Sequence, residues 1–221
     1  MLHLIDATNR HLPKNQKLLE ESFLVRHELY VKGRGWKALE KPDGREIDQF
    51  DTDAAIYVIW ADGMEVVGGA RFVPTDQPHL MSEVFPHIVT FGSVPRSANI
   101  WEITRLFTSR GGKSAVNRRD VTSEVFCAMF ELGLVKNLEA ITVVCDTFFL
   151  PRLLEAEIDV KPLGLPTPYD EGTCIACRLP VNLTQLSAAR GGKRGSVLFH
   201  IDAPVRNRQP AYARSDAHAA H

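Results

Sequence analysis

Long apolar runs are missing from this sequence: no stretch of eighteen or more apolar residues occurs, and the opening MLHLIDATNRH lacks the charged, apolar and small-residue segments of a secretory leader. Membrane insertion is therefore not expected, and the reading is of a cytoplasmic protein. Cysteine is scarce, and all four, Cys127, Cys145, Cys174 and Cys177, lie in apolar runs, as reduced core thiols do. Cys174 and Cys177 form a C-x-x-C, but the second pair that zinc would want is missing, so a strand position is the expected role and no metal is expected. Surplus charge is missing too: 26 lysines and arginines against 27 acids leave a formal net charge of −1, which does not suit wholesale capture of nucleic acid or of an anionic membrane. No HExxH, G-x-S-x-G or GxGxxG occurs, and G-G-K-S at 111–114 lacks the upstream glycine of a phosphate loop because Phe107 stands there. Hydrolase, zinc and dinucleotide readings have no support.

What is present is an ordinary globular composition, 221 residues with 44% hydrophobic and 24% charged, long enough to bury a core without staples. The expectation is one domain over residues 1–181, with 182–221 as a C-terminal extension of weak periodicity that carries Arg190, Lys193, Arg194, Arg206 and Arg208. Residues 13–31 read as a helix with Pro13 near its start and Leu19, Phe23, Arg26 and Tyr30 on one face. Residues 54–60 and 65–73 flank Asp62-Gly63 as a hairpin. The run 74–98, with Pro74, Pro78, Pro86 and Pro95, is a long excursion with at most a short helix near MSEVF. Strands at 100–108, 139–145 and 173–179 alternate with helices at 115–136 and 148–157; Val121, Val125, Ala128, Leu132 and Val135 form the buried side of the first. This order predicts an α/β fold, a sandwich with a mixed sheet, rather than a doubly wound dinucleotide fold.

Several residues stand where only pairing or use explains them. Arg26 interrupts an apolar stripe, and a guanidinium cannot shed its charge, so it demands a carboxylate; the acidic stretch Asp43, Glu46, Asp48, Asp51 and Asp53 is near. Asp48 and Asp51 are three apart, suited either to one cation site or to a structural ion pair. Trp36, in a Gly-rich loop, and Phe85, in the excursion, serve either as lids over core or as plates for a ring-bearing cation. Glu102 and Arg105 sit mid-strand among large apolar residues, and because three apart means opposite faces of a regular strand, a shared site requires a bulge or splay near Thr104. Arg71, on the preceding strand, reaches the same face or locks to Glu102. R-G-G-K at 110–113, opening a helix near Arg118 and Arg119, suits a phosphate of a coenzyme or carrier arm.

The set Arg26, Trp36, Asp48, Asp51, Arg71, Phe85, Glu102 and Arg105, in this order and spacing, resembles the signature of the acyl-homoserine-lactone synthases, the autoinducer synthases of bacterial quorum sensing, over roughly residues 15–170. One position departs: the family's usual phenylalanine four residues after the arginine is Tyr30, which adds a hydroxyl to a substrate-facing wall. The stretch from Arg34 to Asp51, with P-L-G-L-P at 162–166, is similar to a branch whose members use aryl or branched acyl-CoA donors, whereas others use acyl-carrier protein. The resemblance implies a fold related to the GCN5-type N-acetyltransferases. It implies S-adenosylmethionine and an acyl thioester as substrates, with no cofactor. It further implies Glu102 as base, with Arg71 and Arg105 orienting the reacting groups. Arg26, Tyr30, Trp36, Asp48, Asp51 and Phe85 would be placed around S-adenosylmethionine, and Ile141, Val143, Phe148 and Phe149 around the acyl chain. An N-acyltransferase acting on another amine without lactone closure, and a non-catalytic sensor of acyl ligand or S-adenosylmethionine, are the alternatives.

Overall fold

Strict alternation of core and surface side chains is nearly absent from the central strands, because helices cover both faces of the sheet. The computed structural model describes residues 1–109, 114–192 and 195–198. In chain order its elements are β1 (Leu2–Ile5), α1 (Pro13–Arg26), β2 (Ile56–Asp62), β3 (Glu65–Pro74), α2 (Leu80–Glu83), β4 (Ile100–Thr108), α3 (Arg118–Val135), β5 (Ala140–Asp146), α4 (Leu150–Glu155), β6 (Lys161–Pro162), β7 (Thr167–Tyr169), β8 (Gly172–Pro180) and α5 (Leu183–Arg190). One sheet has the order β1-β2-β3-β4-β5-β8-β6, with β7 also on β8. Every pair is antiparallel except β4 with β5. Helix α1 lies on one face, and α3 with α5 on the other, so the predicted mixed-sheet sandwich is the observed architecture. Among the described residues no helix is long and apolar enough to cross a membrane.

Three features differ from expectation. Strands β1, β6 and β7 have four residues or fewer, too short for periodicity to register. Val135 is 58% exposed at the last turn of α3 and is not on its buried side. The packed body does not stop at residue 181: Leu186 and Ala189 of α5 join the main core, and the buried Glu131 carboxylate on α3 accepts from Arg190, Ser196 Oγ and the N–H groups of Val197 and Leu198. Of the tail residues named above, Lys193, Arg194, Arg206 and Arg208 lie outside the described residues.

Two details of the backbone shape the site. After Arg26 the first helix continues as a π-helical turn, His27–Lys32, closed by the Gly33 N–H donating to the Glu28 carbonyl at 3.0 Å. Strands β4 and β5 pair only from Ile100↔Ala140 to Ile103↔Val143 and then part, while β5 continues on β8 to Asp146↔Cys174. A cleft opens where the ladder ends. It is braced from behind by Gly68 on β3, where a Cβ would lie 2.7 Å from Val121 Cγ1 of α3 and 2.9 Å from the Phe107 carbonyl. Gly68→Ala is therefore expected to destabilise the fold by about 1–3 kcal/mol through overpacking, read as a lower urea midpoint at unchanged slope.

Cys174 and Cys177 show what the C-x-x-C is for. Three apart on β8, they face opposite sides: Cys174 packs with Met81 and Ile88, and Cys177 enters the large core against α3. Among the described residues no cluster of histidines, cysteines and acids is placed to hold a metal ion.

Candidate active site

Arg26 leaves the end of α1 fully buried, and the loop from Glu46 to Asp51 folds back over it. Its Nε donates to Glu46 at 2.6 Å, while its two terminal nitrogens fork onto Asp51 at 2.9 and 2.8 Å. Arg71 of β3 forks onto Asp48 at 2.6 and 3.0 Å and reaches Asp51 at 2.8 Å. Arg105 of β4 donates to both oxygens of Glu46 at 2.9 Å and to Asp48 at 2.7 Å. The six groups form a closed ring, Arg26–Glu46–Arg105–Asp48–Arg71–Asp51, in which each guanidinium lies between two carboxylates. Burial pushes the Glu46 and Asp51 carboxyls up, but the arginines outweigh it and hold both below the ordinary carboxylate range. Tyr57 adds its hydroxyl to Asp51 at 2.9 Å, and Arg71 Nε donates to Thr104 Oγ1 at 3.0 Å.

The expected bulge is present. Arg71 pairs with Thr104 but Gly69 with Phe107, so β4 carries one residue more than β3 over this interval, and Arg105 takes up the surplus at φ 51°. A left-handed conformation costs a residue with a Cβ about 1–2 kcal/mol. The two-carboxylate grip of the ring holds it there, and the turn swings the guanidinium to the Thr104 side of the strand.

Glu102 is on that side but does not join the arginines. Its oxygens accept the N–H groups of Leu80 at 2.7 Å and Met81 at 2.9 Å, so it fastens the excursion to β4, and of the two readings of Arg71 the Glu102 lock is not formed, its guanidinium being held in the ring. Burial raises the Glu102 carboxyl to about 7, against the pull of the two N–H groups and of Arg71 and Arg105. A carboxylate accepting one bond per oxygen keeps lone pairs for a proton.

The cleft holds a cavity of about 1420 Å³. On the α1 side of the sheet its wall includes Tyr30, Trp36, Leu80, Phe85, Thr104 and Arg105; on the α3 side it includes Ile103, Phe126, Val143, Phe149 and Ala189. Tyr30 and Trp36 stack with ring centres 4.9 Å apart, and the Arg105 guanidinium lies 5.7 and 5.8 Å from those centres. Phe126 and Phe149 sit 6.0 Å apart at the other end. The cavity thus reaches both faces of the sheet through the gap between two strands, with Arg105 and the Tyr30–Trp36 stack on the α1 side and Phe126 and Phe149, rimmed by Arg118, Arg119 and Arg152, on the α3 side.

Several expected contacts are relocated. Arg26, Asp48, Asp51 and Arg71 stand behind the cavity wall, because their charges are consumed in the ring; they position Arg105 rather than line the cavity. Glu102 lies one layer behind Leu80. The Tyr30 hydroxyl donates to the Leu106 carbonyl at 2.9 Å. Ile141 is wholly buried in the core, and Phe148, 63% exposed, stands at the cavity mouth rather than with Phe149. The R-G-G-K segment at 110–113 lies outside the described residues, while Arg118 and Arg119 border the cavity. Sequence reasoning named Glu46 only as one of five acids, and no spacing singles it out. Arg34, Asp146 and Tyr169, which also line the wall, were not anticipated.

A mixed sheet splayed beside a parallel pair, with a cavity crossing it, is the frame of an acyl-transfer enzyme. The fold alone is shared with a putative N-acetyltransferase from Lactobacillus plantarum, at 14% identity and TM-score 0.52 over 82% of this chain and 99% of that one. Closer likeness is specific. The autoinducer synthase family model matches residues 9–188. The isovaleryl-homoserine lactone synthase of Bradyrhizobium diazoefficiens is 37% identical over 183 residues, 82% of this chain and 80% of that protein. The solved structure of a CoA-dependent acyl-homoserine lactone synthase, BjaI, with SAM and isopentyl-CoA superposes at TM-score 0.79 with 35% identity over 86% and 88% of the two chains. A second CoA-dependent acyl-homoserine lactone synthase, MesI, gives 0.79 and 38% over 92% and 100%. The chain belongs to the autoinducer synthase family, the acyl-homoserine-lactone synthases.

Proposed function

We propose that this chain makes an N-acyl-L-homoserine lactone, a quorum-sensing signal, from S-adenosylmethionine and an acyl-CoA. The observation that carries the reading is the cavity that crosses the sheet at the end of the β4–β5 ladder, with Tyr30, Trp36 and Arg105 on one face and Val143, Phe126 and Phe149 on the other. S-adenosylmethionine occupies the Tyr30, Trp36 and Phe85 side; the acyl chain occupies the Val143, Phe126 and Phe149 side. The α-amine attacks the thioester carbon, the tetrahedral centre collapses, and the thiol leaves. The methionine carboxylate then displaces the sulfonium at the γ-carbon, closing the lactone and releasing methylthioadenosine. No redox partner or cofactor enters this balance.

The amine is mostly protonated at neutral pH and needs a base; Glu102, raised to about 7 by burial, takes that proton through a bridging water. Arg105, immobilised by the ring, presents its guanidinium to the substrate carboxylate or thioester oxygen. Backbone N–H groups beyond Ile103, where the strands part, stabilise the oxyanion. The CoA donor rests on the likeness to the isovaleryl and isopentyl-CoA enzymes, and the cytoplasm supplies both substrates.

Mass spectrometry of the purified protein with S-adenosylmethionine and a panel of acyl-CoA and acyl-carrier-protein thioesters tests this. Methylthioadenosine together with an acyl-homoserine lactone establishes the reaction and names the donor. An acylated amine without methylthioadenosine moves the chain to the open-chain acyltransferase reading, and binding without turnover to the sensor reading.

A further inference from the structure

Beside Trp36 on the cavity wall Arg34 fills a slot. Its guanidinium carbon lies 5.1 Å from the ring centre of Trp36 and 5.1 Å from that of Phe148, and it is ion-paired with Asp146 at the end of β5. Tyr169 of β7 donates its hydroxyl to the other Asp146 oxygen at 2.6 Å. Two aromatic faces and a carboxylate fixed by a tyrosine make a receptor for a cation. The Arg34 side chain is 31% exposed and the Asp146 side chain 9% exposed. The arginine can therefore leave toward solvent, whereas the carboxylate cannot, and an unpaired buried carboxylate is costly. Arg34 rises between Gly33 and Gly35, and Gly35 is at φ 77°, with no atom within 4 Å of where a Cβ would be.

The geometry points to Arg34 as a resident stand-in for the sulfonium of S-adenosylmethionine: substrate displaces it from the Trp36–Phe148–Asp146 slot, and it returns once the sulfonium has become a neutral thioether. This rests on the functional reading above and adds a step to it. Lactone closure moves the electrons of the breaking Cγ–S bond onto sulfur, so methylthioadenosine carries no charge and no longer satisfies Asp146. The arginine then competes successfully for the slot, and product leaves. Asp146, Phe148 and Tyr169 join the amino-substrate site, and Arg34 acts as the group that clears it.

Calorimetry with S-adenosylmethionine and with methylthioadenosine tests this without relying on turnover. A slot that must first be emptied weakens every occupant by the same factor, so Arg34→Ala is expected to tighten both ligands by about fivefold or more and to strengthen product inhibition. Arg34→Gln, which keeps most of the bulk, is expected to move both in the same direction. In the Arg34→Ala background, Asp146→Asn is expected to weaken S-adenosylmethionine by about tenfold and to leave methylthioadenosine nearly unchanged. Weaker S-adenosylmethionine binding by Arg34→Ala and Arg34→Gln makes Arg34 a substrate contact and overturns the inference. An equal effect of Asp146→Asn on both ligands, or none, overturns the slot. Wild-type protein that makes lactone while either result is found leaves the functional reading standing. Wild-type protein that binds no S-adenosylmethionine overturns both.

Discussion

Glu102→Gln is expected to lower lactone formation by about 10²–10⁴-fold while the protein still folds, because the amide oxygen keeps one of the two bonds that fasten the Leu80–Met81 turn. The amide cannot take the proton of the attacking amine. In the wild type the carboxyl titrates at about 7, so kcat/KM for S-adenosylmethionine should rise with pH through that value and level off above it. Stability should move oppositely. A carboxyl raised from 4.5 to about 7 by burial gives the folded state more bound protons than the unfolded chain between those values. Its contribution is greatest below the unfolded pKa and is lost as pH climbs through that window. Glu102→Gln should flatten that part of the stability profile. Near-normal turnover by this variant would remove Glu102 as the base.

Arg26→Ala is the second large effect, and it is an effect on the fold first. The substitution opens the six-membered ring and leaves Glu46 and Asp51, both fully or nearly fully buried, each with one arginine instead of two. Breaking a buried ion pair by removing one partner costs about 3–5 kcal/mol, and a melting temperature unchanged from wild type would contradict the pairing described above. Arg26→Lys keeps the charge but cannot fork onto Asp51 while reaching Glu46, so an intermediate loss is expected. Activity should fall with stability, since Glu46 is half of the grip that holds Arg105 in its left-handed conformation. Acid should expose the same ring. Glu46 and Asp51 are held below the ordinary carboxylate range, so their stabilisation is complete above the unfolded values and is lost as pH falls through the folded ones.

The long elements were legible because they repeat. Pro13 and the apolar stripe marked α1, two mostly apolar runs flanking Asp62-Gly63 marked the hairpin, and the crowded apolar run marked β4. Helix α5 had its signals, an Asn182 cap and Gly191 at φ 53°, but only eight residues between them, and its amphipathic stripe is two side chains, Leu186 and Ala189. For the site, sequence exposed the charges that did not belong and failed to match them. Arg26, Arg71, Glu102 and Arg105 stand out in any apolar context. Which carboxylate each one meets depends on a single positive φ at Arg105 and on a loop fold that no spacing encodes, so Glu46 passed as one acid among five. Arg34 and Asp146 are 112 positions apart and each is ordinary where it stands; only the parting of β4 and β5 makes them neighbours.

The π-helical turn at His27–Lys32 carries a consequence for how such a site is inherited. One surplus residue in a helical turn leaves composition, hydropathy and charge almost untouched, yet each residue rotates the chain by about 100°. Deleting a codon between Arg26 and Tyr30 would shorten the count of residues that now brings the Tyr30 ring onto Trp36 at the cavity wall and so disturb that stack. Among descendants of this chain, insertions and deletions between Arg26 and Gly33 should therefore be purged far more strictly than substitutions at the same positions. What selection guards there is a count of residues before it is a choice of residue.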